Sequence, residues 1–399
     1  MKILIRLICF LFISVAIFSC AKEAVCLIPK ADFKKNNVVS LPGDVVQLTN
    51  NSLNASRYRW EIVSNSTPAS YFVESGNSVF IGEAPSLVVN GLVTVKLTAA
   101  NDCYDADYDS KNIGFGNQGL WTNKGNYGGL ATGFKSGFSI GTNGYILGAI
   151  NDFWEWDQST NVWTQKTDYP GLGYIETVAF SIGTKGYLGT GRNGGPSYQD
   201  FYEWDQATNV WTPKSNFAGG QLTTAVAFTI GTKGYVGTGY DGTYSNSLWE
   251  YDPLLDNWTL KNPMPTSGRS GATAFSIGTK GYIGTGNVMN DFWEWDQATN
   301  NWTQIADLPG PGRNFASAFS IGSLGYVGTG GGTGATALND FYEYSPLLNV
   351  WTQRSDFGGA ARWASIGFSI GTKGYIATGG YYSTSWVYFN DLWEFDPSQ

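Results

Sequence analysis

The chain has 399 residues, with 24 basic and 32 acidic side chains and no histidine. Its formal net charge of −8, with no basic run, argues against nucleic-acid binding. Without histidine the chain lacks the commonest general base, Ser-His and Cys-His nucleophile pairs, and imidazole metal ligands. We therefore assign no catalytic residue, metal or cofactor from the sequence.

The N-terminus has the pattern of an export signal. Lys2 and Arg6 precede a 13-residue apolar run from Leu7 to Ser19, which is short for a membrane span of about 20 residues. The following IFSC resembles a bacterial lipobox, although Phe18 stands where a small residue is usual. We expect residues 1–19 to be a signal peptide, Cys20 to be acylated and residues 20–26 to form a tether. The protein would then lie in the bacterial cell envelope, at the outer membrane or cell surface. An ordinary secretory signal is the alternative.

Two cysteines remain after the signal and Cys20 are set aside. Cys26 and Cys103 bracket the next segment, and an exported protein meets an oxidising environment. A disulfide between them would stabilise that segment by about 4 kcal/mol in the chain-entropy model. Two separate thiols are the alternative.

Residues 27–112 consist of short runs with alternating apolar and polar residues, as in LVTVKLTAAN at 92–101. This period predicts a small β-sandwich. VVQLTNNS, YRW and VTVKLTAAND resemble a PKD domain, an immunoglobulin-like module, although EIVS replaces the FGDG of that family. The resemblance implies a spacer with Trp60 in its core. Residues 113–117, within a Gly-rich polar stretch, are expected to be a linker.

The remaining sequence repeats. The dipeptide Gly-Tyr recurs at intervals of 42, 48, 47, 44 and 49 residues. One copy reads SGATAFSIGTKGYIGTG, then a variable stretch, then NDFWEWDQATNNWTQ. Each copy contains four β runs separated by glycine-containing or Asp-headed turns and no helical period, which predicts the four-stranded blade of a β-propeller.

The residue pattern distinguishes two propeller families. Trp-Asp dipeptides occur, but the WD40 signature also needs histidine. An aromatic residue and a Trp separated by six residues, as in Trp156 and Trp163, recur five times. By this spacing, residues 118–399 resemble the kelch family. Its Gly-Gly doublet is replaced by GTG in most copies. The fold expected is all-β, a six-bladed kelch-type propeller behind an immunoglobulin-like domain.

The last copy stops before its final Trp, at Gln399. An unassigned GLWTNK containing Trp121 begins the domain, and successive fourth-strand Trp residues starting from Trp121 lie 42, 48, 47, 44 and 49 residues apart. We therefore expect residues 118–124 to supply the outer strand of the last blade and close the ring. A basic residue follows five of these Trp residues by three positions, with Ile305 as the exception, and could pair with a repeated Glu.

One face of the propeller should carry function. Turns between the first and second and between the third and fourth strands are nearly identical in all copies, whereas the loops on the other face vary. Guanidinium groups bind carboxylates, and aromatic rings stack on sugars or bury against a partner. The candidate ligand-binding residues on this face are Tyr174, Tyr240, Tyr244, Arg269, Arg313, Arg362, Trp363, Tyr381, Tyr382 and Trp386. The alternative is that these loops vary because nothing constrains them.

Three functions compete. The first is a surface-anchored, non-catalytic protein whose variable face binds a glycan or a protein partner. The second is an enzyme, because kelch-like propellers include sugar oxidases and a sialic-acid mutarotase; an oxidase is disfavoured by the lack of histidine. A mutarotase or lyase would use Arg, Tyr and a carboxylate such as Glu176 or Asp241, in a deep charged pocket. The third is a structural envelope component.

Overall fold

The computed structural model describes residues 118–399 in full and, before them, the backbone of seven strands. Two compact units are separated between Phe115 and Gly116. The signal peptide, Cys20, Cys26 and Cys103 lie outside the described residues.

The first unit contains two antiparallel sheets, with strand orders β1-β2-β5 and β4-β3-β6-β7. β7 continues to Phe115, through the first residues of the stretch expected to be a linker. The strands are β1 (Phe33–Lys35), β2 (Val46–Asn50), β3 (Arg57–Ser64), β4 (Ser70–Glu74), β5 (Ser78–Ile81), β6 (Gly91–Asn101) and β7 (Tyr104–Phe115).

The second unit is a six-bladed all-β propeller, in which each blade is a four-stranded antiparallel sheet. The first strands of neighbouring blades contact one another in a closed circle around the central axis. In blades 1 to 3 the strands are β9 (Ser136–Ile140), β10 (Asn143–Leu147), β11 (Phe153–Asp157) and β12 (Val162–Lys166); β13 (Val178–Ile182), β14 (Lys185–Gly189), β15 (Phe201–Asp205) and β16 (Val210–Lys214); β17 (Val226–Ile230), β18 (Lys233–Gly237), β19 (Leu248–Asp252) and β20 (Asn257–Leu260).

Blades 4 to 6 follow the same plan, except that the last blade takes its outer strand, β8 (Leu120–Asn126), from the start of the unit. The other strands are β21 (Ala272–Ile277), β22 (Lys280–Thr285), β23 (Phe292–Asp296) and β24 (Asn301–Ile305); β25 (Ser317–Ile321), β26 (Leu324–Gly328), β27 (Phe341–Ser345) and β28 (Val350–Gln353); β29 (Ile366–Ile370), β30 (Lys373–Ala377) and β33 (Asp391–Asp396). A 3₁₀ turn (Thr333–Ala335) and a hairpin of β31 (Gly380–Tyr382) and β32 (Trp386–Tyr388) lie in variable loops.

Closure joins the two ends of the unit, as the Trp spacing predicts. β8 pairs with β33, and Trp121 lies opposite Phe395. The backbone N–H of Gly119 donates to the carbonyl of Gln399 at 3.0 Å. Because this pairing covers the outer edge of β33, the last blade does not end in a short three-stranded sheet.

The repeated glutamates hold each blade together. Each accepts a hydrogen bond from the second-strand Tyr hydroxyl of its own blade at 2.7–2.8 Å. Five also pair with the basic residue three positions after the fourth-strand Trp, at 2.6–3.8 Å, which confirms the predicted pairing. In blade 4, where Ile305 breaks the pattern, Lys280 takes the place of the missing base and pairs with Glu294 at 2.8 Å.

Candidate functional site

The axial channel opens between the variable loops, at the ends of the first strands. There one residue per blade donates its backbone N–H to the carbonyl of its counterpart in the preceding blade, at 2.7–3.3 Å, and the six bonds form a closed ring. All six residues have a φ of 52–62°, in the left-handed region. They are Phe134, Glu176, Thr224, Gly271, Phe315 and Ala364. The backbone ring therefore fixes the positions of these six residues around the channel.

A cavity of about 150 Å³ lies at this ring. Its wall is uneven. Phe134 and Phe315, from blades 1 and 5, meet edge to face with ring centroids 5.0 Å apart. The charged residues Lys135 and Glu176 come from blades 1 and 2, and most of the remaining wall is made of small residues. The cavity therefore presents an aromatic wall and charged groups to the same small volume.

Lys135 is the cation of this cavity. The residue is only 8% exposed, and its ammonium nitrogen Nζ has no hydrogen-bond partner among the described residues. Burial lowers the pKa of Lys135 to about 8, partly opposed by the negative charge of Asp152. The Asp152 carboxylate itself accepts hydrogen bonds from the Trp154 indole at 2.7 Å and the Ile150 backbone at 3.3 Å. Lys135 is thus a buried amine without a bonded counter-ion.

Glu176 is the cavity's carboxylate. It pairs with Arg192, with Oε1 and Nη2 2.7 Å apart, and the Arg192 side chain is 44% exposed at the rim. Just before Glu176, Ile175 forms a β-bridge with Arg192. Thus the loop between the second and third strands folds back onto the start of the first strand and presents its side chains to the mouth.

An aromatic cluster covers one side of the mouth. Trp363 and Trp386 lie with ring centroids 4.9 Å apart, and the ring of Trp386 stacks on Tyr388 at 5.2 Å with an interplanar angle of 4°. Trp386 also contacts Phe134 at 5.8 Å. Tyr382 packs edge-on against Trp386 and is 48% exposed. Of the predicted residues, the structure therefore groups Trp363, Tyr382 and Trp386 beside the cavity.

The three predicted arginines are placed differently. Arg269, Arg313 and Arg362 are fully buried, and each guanidinium binds both oxygens of an aspartate in its own blade at 2.5–2.8 Å. Each also donates to a buried threonine carbonyl. A ligand would have to displace these aspartates to reach the guanidinium groups. The expectation that they face the mouth is therefore corrected: they fasten the variable loop to the first strand. The aspartates are Asp291, Asp340 and Asp391.

The remaining predicted residues are spread around the rim. Tyr174 occupies in blade 2 the position that Arg269 holds in blade 4, and it is half-buried against the blade core. Tyr240 and Tyr244 lie side by side, 5.5 Å apart and 43% and 57% exposed, on blade 3. Tyr381 packs against Phe389 at 6.0 Å. These tyrosines do not line the cavity.

Sequence reasoning missed Lys135, Phe134 and Phe315, and it named Glu176 only in the enzyme alternative. Asp241, the other carboxylate of that alternative, caps an exposed turn by accepting the Thr243 N–H at 2.9 Å. A signal for Lys135 was present: its counterparts in the other blades are all small residues. They are Thr177, Ala225, Ala272, Ala316 and Ser365.

Among the described residues, no three His, Cys, Asp or Glu side chains are grouped so that they could hold a metal ion. No helix in this part of the chain has the length and apolar character needed to cross a membrane.

The fold and the mouth define the chain as a six-bladed β-propeller with an axial cavity. It is similar to a solved structure, "Structure of YjhT", with a TM-score of 0.58 and 16% sequence identity over 67% of this chain and 95% of that chain. At this identity the likeness shows the fold alone. No family model matches the sequence. No curated protein matches it either.

Proposed function

We propose that this chain is a non-catalytic carbohydrate-binding protein with a kelch-type propeller, which holds the end of a glycan at the axial mouth. In this proposal Cys20 carries the lipid that anchors the protein in the cell envelope, and an immunoglobulin-like domain of the PKD type acts as a spacer. The equal aromatic-to-Trp spacings support the kelch assignment, and the N-terminal sequence supports the anchor.

The observation that carries the proposal is the cavity beside an aromatic cluster. A cavity of about 150 Å³ accepts a ligand the size of a six-membered ring, since engineered cavities of that size bind benzene. One sugar residue has such a ring, and its apolar face stacks on aromatic side chains. Trp363 and Trp386 both contact Phe134 of the cavity wall and are the rings on which that face could stack.

The size of the cavity also favours a glycan over a protein partner. A stable protein interface buries about 800 Å² on each side and is centred on a broad patch. The exposed Tyr240 and Tyr244 could contribute to such a patch, but the cavity is small and lies in the channel, which suits a chain end. A protein partner would be expected to depend on the rim tyrosines and not on the cavity.

A second candidate is an enzyme acting on the same sugar, such as a mutarotase or a lyase. It is favoured by one observation: a carboxylate, Glu176, and an amine whose pKa is lowered to about 8, Lys135, share the cavity. Such a pair could exchange protons with a sugar near neutral pH. Proton NMR of the anomers of reducing sugars tests the mutarotase, because only that enzyme would speed their exchange.

A glycan array tests the proposal. The full chain should retain a defined set of glycans, and Trp386→Ala should bind them more weakly. Leu347→Ala serves as the control, because Leu347 is 92% exposed in a turn between a third and a fourth strand, on the other face. If the array binds nothing, or if Trp386→Ala binds as well as the wild type, the carbohydrate proposal is wrong. A chain that binds neither glycans nor proteins would fit a structural envelope component.

A further inference from the structure

Lys135 is not part of the repeated blade pattern. The other five blades have Thr, Ala or Ser at its position and still form the same first strand and the same backbone ring. Burying an ammonium group without a partner destabilises a folded protein. A buried lysine that lines a cavity and lacks a hydrogen-bond partner among the described residues therefore points to a ligand that supplies the missing partner.

We propose that the axial cavity is a carboxylate-binding subsite in which the ammonium of Lys135 pairs with the carboxylate of the ligand. The inference rests on the proposed function for the location of the site and adds the charge of the ligand. Under it, the glycan end held in the channel is a sugar acid. The ring of the sugar acid would lie against Phe134 and Phe315.

Among the charged groups near Lys135, Asp152 offsets part of the ammonium charge but forms no hydrogen bond with it. Glu176 already pairs with Arg192, so these two side chains together add no net charge to the cavity. Asp152 acts on Lys135 through space, and its oxygens are engaged by the Trp154 indole and the Ile150 N–H. Lys135 thus keeps a charge that no hydrogen bond satisfies.

Other donors nearby also lack partners. The Trp363 indole nitrogen and the Thr132 hydroxyl are buried and form no hydrogen bond within the part of the chain that the structure describes. The Trp363 ring contacts Phe134, the residue before Lys135, at 6.2 Å, and Thr132 lies three positions before Lys135. One cation with a few neutral donors suits a carboxylate, whereas phosphate groups are usually bound by several cations or by arginine forks. The geometry therefore favours a single carboxylate.

The proposal predicts how the affinity for the carboxylate depends on pH. A carboxylate binds the protonated amine, so affinity should fall as the pH rises through the pKa of Lys135, about 8. By linkage, bound carboxylate must raise that pKa, and the protonation of Lys135 therefore reports directly on the subsite. The other charged groups near Lys135 are Asp152, Glu176 and Arg192.

The test uses acetate as the smallest probe and acetamide as its neutral match. The full chain, with ¹³C-labelled lysine, is titrated by NMR at constant ionic strength, and the Lys135 signal is assigned by its loss in Lys135→Met. A second variant, Lys135→Arg, repeats the assignment if the first does not fold. We expect acetate to raise the pKa of Lys135 by about one unit, equal to tenfold tighter binding to the charged form, and acetamide to leave it unchanged. Lys166, in an ion pair on β12, is the internal control.

If the pKa of Lys135 is the same in acetate and in acetamide, the proposal of a carboxylate-binding subsite is wrong. If no glycan binds on the array but acetate raises the pKa of Lys135, the glycan proposal is wrong and the carboxylate-binding subsite stands. Equilibrium dialysis then compares the affinities for D-galacturonate and D-galactose, to test whether the carboxylate belongs to a sugar acid. A preference for the acid of at least about tenfold, lost in Lys135→Met, supports a sugar acid. No preference for D-galacturonate, beside a positive acetate result, overturns the sugar-acid assignment.

Discussion

Trp121 and Phe395 lie opposite one another on the strands that close the propeller, with ring centroids 5.0 Å apart. The Trp121 ring also contacts Phe341 and Phe357 of the preceding blade, each at 5.0 Å, and its indole donates to the carbonyl of Ser355 at 3.3 Å. The first strand of the unit thus joins the last blade to blade 5 with the same kind of aromatic contact that joins the other blades.

This closure predicts the effect of Trp121→Ala. The substitution removes the ring that fills the space between blades 5 and 6, so the free energy of unfolding should fall by about 3 kcal/mol. Leu120→Ala, at a 54% exposed residue on the same strand, should change it little. Urea unfolding followed by tryptophan fluorescence measures both. Equal stability of the two variants would mean that β8 does not hold the ring closed.

Arg362→Ala should reduce stability and not ligand affinity. It would leave the carboxylate of Asp391 without the guanidinium that now binds both of its oxygens, at a cost of about 3–5 kcal/mol. Lys124→Ala is the control, since its ion pair with Glu394 is long, 3.8 Å, and partly exposed, and should contribute about 0–1 kcal/mol. If Arg362→Ala unfolds like the wild type but loses glycan binding, Arg362 belongs to the binding surface after all.

Trp386 should contribute to glycan binding through the face of its ring. Trp386→Ala should weaken binding of the glycan found on the array by about tenfold, equal to about 1.4 kcal/mol, while Trp386→Phe should retain most of the affinity. Isothermal titration calorimetry measures both. Tyr240→Ala, on blade 3, should bind like the wild type. If Tyr240→Ala loses more glycan affinity than Trp386→Ala, the binding site lies at the rim and not at the cavity.

Lys135→Met should make the propeller more stable. The pKa of Lys135 is about 8 in the folded chain and near 10.5 in the unfolded chain. Below pH 8 both states are protonated, and the burial penalty, about 3 kcal/mol, is fully present. Between pH 8 and 10.5 the unfolded state binds more protons, so wild-type stability rises with pH. The advantage of the variant should therefore be largest below pH 8 and shrink across this range.

Urea unfolding at pH 6.5 and pH 10 checks this. A control variant, Lys124→Met, changes a lysine paired with Glu394 and should show no such gain. A Lys135→Met protein less stable than the wild type at pH 6.5 would show that the amine is not buried at a cost, and the argument for a missing ligand partner would be lost.

Much of the propeller could be predicted because its repeats encode packing. The spacing of the Trp residues gives the number of blades and the strand that closes them, and the exception at Ile305 coincides with a change of ion-pair partner to Lys280. Equal spacing works here because each blade contributes equivalent aromatic residues to the contacts with its neighbours.

The site was less predictable. The sequence pattern and the kelch resemblance predict Arg313 on the variable face. Its true partner, Asp340, lies 27 residues further on, in a loop whose path the repeat pattern does not fix. Lys135 has no repeated signature, so it stands out only when its position is compared across all six blades, where every counterpart is small. The cavity depends on how Phe134 and Phe315 meet across the channel, which sequence spacing cannot show.

The most direct test of the account is hydrogen–deuterium exchange of the full chain with and without the glycan selected on the array. Ligand at the axial mouth should slow exchange of the backbone amides near Lys135, Glu176 and Trp363, and of the hairpin around Trp386. The amides of the turns after Asp157, Asp205 and Asp296, on the other face, should be unaffected. Protection confined to those turns, with none at the mouth, would contradict it.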